Sequence, residues 1–396
     1  ILKSVFFYFL NIKTQVSNFL RTIYYSSKYY HSSIESKKPK QFFFFPNSFL
    51  LSSFTNYKDF SLKISSVDPY NFWVKQNTKE EEENLHGFLW LNVLDRKNEA
   101  GVIRKIIEIW IAKNKRYNST TWEETLTSKR IISWILNADI ILNNGYFEFK
   151  RNFLTQIIIQ ANHLKRNIKF EKDYSSRIEV LTALLLTGLV FKEYEENYKI
   201  AIKGLEKLIK EFFDQDGFPL TRNPSDLIFF LKYLILCKEC IQDAQKYVPE
   251  FLEEIIKKNL NCIKEIITPT NQVPLFNGAI EEDLEHLDKL IKDLDNKSKD
   301  RKRVTGGIKK MRFRNSQIFF DVGNPPKKDF SKSYQSGPLS FEYYLDGVKI
   351  ITNCGFGCNI SSKAELLSRL TSAQSTLILN DTSVTKFERN KLINKV

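Results

Sequence analysis

Cysteine and histidine, the side chains best suited to bind zinc and to act as nucleophile or base near neutral pH, are few in this chain of 396 residues, which has five cysteines and four histidines. Cys237 and Cys240 have the Cys-x-x-Cys spacing that suits a metal site or a redox pair. They lie in the apolar run 227–240, where a helix would place both thiols on one face, and no second pair completes a zinc site. An odd number of cysteines without a regular framework also argues against a disulfide scaffold. The pattern favours buried helix packing, with a metal or redox role as the alternative.

The chain is basic, with a formal net charge of +14, and part of this excess lies in residues 1–50. A basic surface suits an acidic partner such as an anionic polysaccharide, a nucleic acid or a lipid surface. The abundance of Lys, Asn, Ile and Phe also fits an AT-rich coding bias, so the charge alone does not choose among these partners. The basic residues of that segment, which stand against Glu35 alone, are Lys3, Lys13, Arg21, Lys28, Lys37, Lys38 and Lys40.

The N-terminal segment, residues 1–25, has apolar residues at close to helical spacing with basic residues between them. This predicts an amphipathic helix that either packs on the protein or contacts a membrane interface. No small-residue cleavage site of a signal peptide follows it, and no apolar run is long enough to cross a bilayer. Residues 41–75 alternate apolar and polar residues around Pro46 and Pro69, which predicts short strands. Both ends of the chain look truncated, since it begins at Ile1 rather than Met and stops just after a strand-like run.

Helical periodicity dominates the middle of the chain, and a period of two follows it. Antiparallel helical pairs joined by short loops would form a solenoid or a closed toroid, and the lack of a fixed repeat weighs against a plain solenoid. The polar, charged segment 295–307 predicts a linker, and Asp346-Gly347 predicts a hairpin turn in an antiparallel sheet. The expected helices are 85–94, 100–113, 121–143, 147–165, 176–192, 195–213, 225–245 and 248–267, and the expected strands are 317–323, 339–345, 348–353 and 375–379.

Three C-terminal segments, 334–342, 346–355 and 371–377, resemble the start of the C-terminal β-sandwich of the heparinase II/III-like polysaccharide lyases. Earlier segments resemble the same family in the same order, so that the resemblance runs from about 85 to 384. It implies an incomplete (α/α) toroid followed by the first strands of an antiparallel β-sandwich. The earlier segments are 85–91, Trp122 with 130–134, 216–224, 274–278 and 321–326. The domains expected are 1–84 with the amphipathic helix and short strands, 85–294 with the toroid, 295–307 as linker and 308–396 with the partial sandwich.

The resemblance implies β-elimination at a uronic acid, in which a base removes the proton beside the carboxylate. Asn or a cation neutralises that carboxylate, and Tyr or His protonates the leaving oxygen. The family's Asn-His pair has its matching place at Ser175-Ser176, and its catalytic Tyr has its place at Asp226. Asn162-His163 also reads Asn-His, but it lies about one helix earlier, and a histidine on a helix face is the favoured interpretation.

Arginines and tyrosines beside these places could replace the missing groups. Arginine clamps a carboxylate bidentately, and a phenol could act as base and acid if an arginine lowered its pKa towards neutral. We therefore expect catalytic roles for Tyr174, Arg177, Arg222 and Tyr334. The expected substrate contacts are Trp122, Arg130, Trp134, Asn223, Gln335 and Gln374. The alternatives are core packing for the tryptophans and Arg130, a cap or salt bridge for Arg222, and core or cleft lining for the tyrosines.

Some members of the family hold a structural zinc with histidine and aspartate in the sandwich. The matching places here are Ser333, Gln335, Asn353 and Gln374, and amides are poor zinc ligands, so no metal and no cofactor are expected. The expected partner is an acidic polysaccharide and not a nucleic acid, and the family suggests the bacterial periplasm. A catalytically degenerate glycan-binding or structural protein is the main alternative. A protein that contacts a membrane or nucleic acid through the basic N-terminal segment is the third.

Overall fold

The computed structural model divides the chain into two compact units. The first unit comprises Ile1–Leu208 and Ile235–Val248, and the second comprises Ile209–Leu234 and Pro249–Val396. The residues that the structure describes are 2–35, 39–47, 68–73, 84–93, 100–282, 284–287, 290–291, 304–380 and 382–385. Positions 48–67 and 74–75 of the expected short strands and 295–303 of the expected linker lie outside these residues. In the described positions 41–47 and 68–73 the prediction of strands is wrong, since they contain irregular backbone and the 3-10 helix Asn71–Trp73. The predicted domain boundaries stay a prediction.

The helices follow the apolar periodicity of the sequence closely. The described helices are α1 (Leu2–Ser26), α2 (Lys28–Ile34), α3 (Ala100–Asn114), α4 (Glu124–Leu136), α5 (Ala138–Leu142), α6 (Phe147–Asn167), α7 (Tyr174–Val190), α8 (Glu195–Phe212), α9 (Pro224–Asp243), α10 (Glu250–Ile266) and α11 (Ser362–Ser368). The helix expected at 85–94 is instead one short turn followed by the 3-10 helix Leu89–Val93, and α11 was not predicted. In the described part of the chain, no helix combines the length and the apolar character needed to cross a membrane.

Acidic side chains fix the starts of two helices that carry candidate site residues. The Glu123 carboxylate accepts a hydrogen bond of 2.8 Å from the backbone N–H of Leu126 at the start of α4. Asp173 likewise accepts one of 3.0 Å from the N–H of Ser176 at the start of α7. Such caps satisfy N–H groups that have no partner within the helix, and their negative charge suits the helix N-terminus.

The first unit has an aromatic core. The ring of Phe88 lies edge-on to those of Trp110 and Trp134, with centroid separations of 5.7 and 5.2 Å. A second buried cluster joins Tyr25, Tyr30 and Ile34 to Trp122 and Ile159, which ties the N-terminal helices to α6 within this unit.

The cysteine pair predicted to pack in a helix is likewise buried: Cys237 and Cys240 are free thiols, and burial raises the pKa of Cys237 to about 12. The packing interpretation therefore fits this pair.

The second unit contains an antiparallel sheet with the strand order β1-β2-β3-β4. The strands are β1 (Ile308–Phe313), β2 (Ser316–Asp321), β3 (Phe341–Leu345) and β4 (Val348–Ile351). The predicted hairpin turn is confirmed, since Asp346 and Gly347 have φ angles of 50° and 81° between β3 and β4. Strand β1 was not predicted, because its basic residues obscure the alternation of apolar and polar side chains that marks a strand.

The strand expected at 375–379 is wrong. Its only ladder contact among the described residues is the isolated bridge between Leu379 and Thr382. Ser375 instead bonds through both its backbone and its side chain. Its N–H and its hydroxyl donate to Asn353 Oδ1 at 3.0 and 3.1 Å, and its carbonyl accepts from the N–H of Phe341 at 3.2 Å. These bonds hold the segment as a loop against β3, so its apolar residues do not extend the sheet.

Candidate functional site

The four residues expected to be catalytic divide between the two units. Tyr174 and Arg177 belong to the first unit, and Arg222 and Tyr334 belong to the second. The catalytic and substrate-binding roles given to these residues stay predictions.

Tyr174 and Arg177 lie together at the start of α7. The Arg177 guanidinium carbon lies 5.1 Å from the centroid of the Tyr174 ring, which is a cation–π contact between positions i and i+3 of one helix. Both side chains are half-buried, so a ligand can reach them. The pair combines a fixed positive charge with a phenol hydroxyl, which are the two groups needed to hold a carboxylate and to exchange a proton.

The positions that match the family's Asn-His pair are built differently here. Ser176 is buried, and its hydroxyl shares a 2.7 Å hydrogen bond with the hydroxyl of Thr125. His163, the nearby histidine, is fully buried and bonds through Nδ1 to the Tyr30 hydroxyl at 2.7 Å. Burial lowers the pKa of His163 to about 3, so its ring is neutral at physiological pH and serves the core. This placement fits the interpretation as a helix-face histidine.

Trp122, Trp134 and Arg130 have no exposed surface. The Trp122 indole N–H donates to the carbonyl of Asn114 at 3.1 Å, and Arg130 is held by neutral acceptors over the ring of Trp110. A sugar cannot stack on a ring that presents no face to solvent. The structure therefore supports core packing, which was the alternative to substrate contact for these three side chains.

Arg222 is part of a buried ion pair in the second unit. Its Nη2 donates to Asp321 Oδ1, its Nη1 donates to the Asn324 carbonyl at 2.8 Å, and its Nε donates to the Gly306 carbonyl at 3.2 Å. Asp321 also accepts from the side-chain amide of Asn277 at 3.2 Å. The guanidinium is thus neutralised from inside the unit, as the salt-bridge alternative predicted, and it has little charge left for a substrate carboxylate.

Tyr334 lies close to this ion pair and is also buried. Its hydroxyl has no hydrogen-bond partner among the described residues. The condition for catalysis by Tyr334, that an arginine lowers the pKa of its phenol towards neutral, is not met: burial raises this pKa, the charge of Asp321 raises it further, and Arg222 opposes them only in part. A phenol of this kind keeps its proton at neutral pH.

Asn223, Gln335 and Gln374 serve backbone groups of the second unit. The Asn223 side chain accepts from the N–H of Ser225 at 2.9 Å at the start of α9. Gln335 accepts from the N–H of Gly278 at 3.0 Å and donates to two backbone carbonyls, those of Gly355 and Ser368. Gln374 donates to the same carbonyl of Ser368 at 2.6 Å, so the two glutamines meet at one oxygen atom.

The residues at the family's zinc positions do not fit that metal. The side-chain oxygen of Gln335, the only atom of this side chain that could ligate a metal, already accepts a hydrogen bond from a backbone N–H. The amide nitrogen of Gln335 donates a hydrogen bond and cannot ligate a cation. Asn353 Oδ1 accepts from the Ser375 N–H and hydroxyl. Within the described ranges, no group of three or more His, Cys, Asp or Glu side chains could hold a metal.

Sequence reasoning missed Asp321 as the partner of Arg222. Asp321 was noted as part of a predicted strand and of a family-like segment but not as a charge partner, and it is 99 positions from Arg222 in the sequence. The available signal was an aspartate on the buried face of a predicted strand, since a buried carboxylate needs a cation or several donors.

The position matching the family's tyrosine holds Asp226, whose carboxylate accepts a hydrogen bond from the Thr221 hydroxyl at 2.6 Å.

The comparisons with known proteins agree with this architecture. Residues 297–396 match the family described as Heparinase II/III-like, C-terminal, which confirms the predicted resemblance for this region. A heparinase III structure aligns with a TM-score of 0.62 and 14% identity, covering 78% of this chain and 57% of that one. The BT4657 heparinase III structure gives 0.59 and 16%, covering 79% and 58%. Heparan sulfate lyase HepC from Pedobacter heparinus gives 0.55 and 17%, covering 78% and 55%.

These similarities establish the fold class. The predicted arrangement, an (α/α) toroid followed by an antiparallel β-sheet, is confirmed by the shared fold of heparinase III. The chain spans between 55% and 58% of the length of these three structures. No curated protein matches it.

Proposed function

We propose that the protein is a polysaccharide lyase that cleaves an acidic, uronic-acid-containing glycan by β-elimination. The observation that carries this proposal is the contact between Tyr174 and Arg177 beside the place where the family has its Asn-His pair. Supporting it are the C-terminal family match and the fold shared with proteins named heparinase III and heparan sulfate lyase. The basic character of the chain suits such a polyanion.

In the proposed reaction, the Arg177 guanidinium pairs with the uronate carboxylate and withdraws its charge. The proton on the adjacent carbon then becomes easier to remove, because the resulting carbanion-like centre is stabilised electrostatically. Tyr174 acts as the base in its phenolate form: its oxygen takes the proton from that carbon, and the phenol so formed donates this proton to the glycosidic oxygen. As the carbon–hydrogen bond breaks, its electron pair forms the new double bond, and the bond to the glycosidic oxygen breaks, so that this oxygen leaves with a proton.

The test is incubation of the protein with heparan sulfate, chondroitin, hyaluronan, alginate and polygalacturonate, with absorbance of the unsaturated uronate as readout. We expect product from at least one glycan. Tyr174→Phe should lower kcat by roughly 10²-fold or more, because only the proton-transferring hydroxyl is removed. Arg177→Gln should lower kcat/KM by a comparable factor.

Matched controls separate these effects from general damage. Tyr247→Phe changes a tyrosine that is 83% exposed, and Arg116→Gln changes an exposed arginine; both should retain native activity. Full activity in Tyr174→Phe would remove this tyrosine from the mechanism. A folded native protein that yields no product from any of the five glycans would contradict the lyase proposal as a whole.

The second candidate is a glycan-binding protein without turnover. It is favoured by the loss of two expected catalytic groups to structural roles: Arg222 is paired with buried Asp321, and burial raises the pKa of Tyr334. It predicts measurable affinity for an acidic glycan by titration calorimetry with no absorbance change, and weaker binding in Arg177→Gln. Product formation by the native protein excludes it.

A further inference from the structure

The outer face of α1 exposes a row of large apolar side chains. Val16, Phe19, Leu20 and Ile23 are between 50% and 65% exposed, although a lone helix face of this kind normally packs on a core. Their spacing of three and four residues places them on one side of the helix. The opposite side carries Tyr25, which is buried and donates a 2.5 Å hydrogen bond to Asn167 Oδ1. The polar contacts of α1 thus face the first unit, and its apolar row faces away from it.

Positive charge accompanies this row. Residues 1–34 contain no Asp or Glu, and their basic residues are Lys3, Lys13, Arg21 and Lys28. Beside α1, the half-exposed ring of Phe170 lies 5.2 Å from the Arg21 guanidinium carbon and 4.9 Å from Lys169 Nζ, measured from the ring centroid. The surface therefore combines exposed apolar side chains with cations, and its own segment contributes no anion.

This combination restricts what can cover the row. A second copy would bring its own α1, from a segment that likewise contains basic residues and no Asp or Glu, against this one, and like charges repel. An anionic lipid surface complements both features, because acyl chains accept the apolar row and headgroups pair with lysine and arginine. We propose that α1 docks the protein on an anionic lipid surface, with Val16, Phe19, Leu20 and Ile23 inserted below the headgroups. This interaction surface is independent of the proposed lyase activity.

Co-sedimentation with vesicles tests the proposal. The native chain should sediment with vesicles of phosphatidylcholine and phosphatidylserine, and it should do so less with phosphatidylcholine alone. Added salt should weaken the binding, because the headgroup contribution is screened. Phe19→Ser with Ile23→Ser should lower the partition coefficient by about tenfold or more, since two large side chains no longer leave water.

A matched variant uses the same helix and the same replacement. Gln15→Ser with Asn18→Ser changes two exposed polar positions outside the row and should bind like the native chain. All four replaced positions are exposed, so far-ultraviolet circular dichroism should show the native helix content in both double variants. A native chain that stays in the supernatant with every vesicle, or native binding by the Phe19/Ile23 variant, overturns the proposal. A concentration-dependent dimer that this variant abolishes also overturns it and assigns the row to a second copy.

Discussion

Two buried arginines, one in each unit, are stabilised by different means. Arg130 is fully buried in the first unit and donates to neutral acceptors: Gln160 Oε1 at 2.7 Å, the His86 carbonyl at 3.0 Å and the Thr127 hydroxyl at 3.1 Å. Its guanidinium carbon also lies 4.3 Å from the centroid of the Trp110 ring. Arg222 in the second unit is bonded to the carboxylate of Asp321.

The difference shows what a buried charge needs when no carboxylate bonds to it directly. Around Arg130, dipoles and a ring face replace the counter-ion, and the remaining desolvation lowers the pKa of its guanidinium to about 9. Around Arg222, a carboxylate cancels the charge, and each partner depends on the other. Neither arrangement leaves a cation free to bind substrate, so an arginine near a family motif is not by itself a catalytic arginine.

The largest expected effect is the loss of the Arg222 pair. Arg222→Met leaves Asp321 buried and unpaired, which should cost about 3–5 kcal/mol of unfolding free energy. Arg130→Met leaves only neutral acceptors without a donor and should cost about 1–3 kcal/mol. Urea unfolding followed by circular dichroism measures both, with the exposed Arg116→Met as the unchanged control.

A double variant sharpens this test. Arg222→Met combined with Asp321→Leu removes both charges, so it should be more stable than Arg222→Met alone. Equal losses for Arg130→Met and Arg222→Met, or no recovery in the double variant, would show that the carboxylate does not distinguish the two sites.

Acidification probes the arginine without a counter-ion. His86 accepts a 2.9 Å hydrogen bond from the Trp110 indole N–H, and burial together with the nearby charge of Arg130 lowers the pKa of His86 to about 4 from 6.5. Between pH 6.5 and about pH 4, the His86 imidazole is therefore protonated in the unfolded chain but largely neutral in the folded chain. Stability contributed by neutral His86 is complete above pH 6.5 and is lost as the pH falls to about 4, by up to about 3 kcal/mol.

The thermal midpoint measured against pH checks this expectation. His86→Gln keeps a side-chain acceptor but cannot titrate, so its midpoint should fall less between pH 6.5 and pH 4 than that of the native protein. His163, whose pKa burial lowers to about 3, should cause a further loss with the same sign in both proteins. Parallel curves for the native and variant proteins would contradict the assignment to His86.

Two glycines test how tightly the Arg222 site is packed. Gly307 and Gly347 have φ angles of +80° and +81°, so alanine strains the backbone equally at both. A Cβ at Gly307 would lie 2.3 Å from Arg222 Nη2, whereas one at Gly347 would meet nothing within 4 Å. Gly307→Ala should therefore cost about 1–3 kcal/mol more than Gly347→Ala in the same urea measurement. Equal costs would mean that the guanidinium moves aside freely.

Local patterns predicted the elements well, because they depend on neighbours in the sequence. Apolar spacing predicted a helix at 176–192, where the structure has Tyr174–Val190, and Asp346-Gly347 predicted its hairpin correctly. The resemblance likewise predicted the fold class. The strand expected at 375–379 failed because hydrogen bonds to Asn353 and to the backbone of Phe341 hold that segment as a loop, and no local pattern shows those partners.

The candidate site was less predictable for a related reason. Its chemistry depends on which distant side chains become neighbours and on how much water they lose. A catalytic role was expected for Arg222, but the structure pairs its guanidinium with Asp321, which is remote in the sequence. Trp122 and Trp134 were expected to stack on sugar rings, but both are fully buried and expose no ring face to solvent. The pair of Tyr174 and Arg177 was within reach of sequence reasoning because a single helix turn brings the two residues together.

The smallest expected effect on stability is at Tyr334, and it bears most directly on function. The Tyr334 hydroxyl is buried and has no hydrogen-bond partner among the described residues. Tyr334→Phe therefore removes a desolvated polar group, and no other described polar group loses a hydrogen bond. Its unfolding free energy should stay the same or rise by up to about 1 kcal/mol. Because burial raises the pKa of this phenol, we also expect glycan cleavage to be unaffected, in contrast to Tyr174→Phe. A stable Tyr334→Phe protein that loses cleavage would assign the proton transfer to Tyr334 and reverse the roles of the two tyrosines.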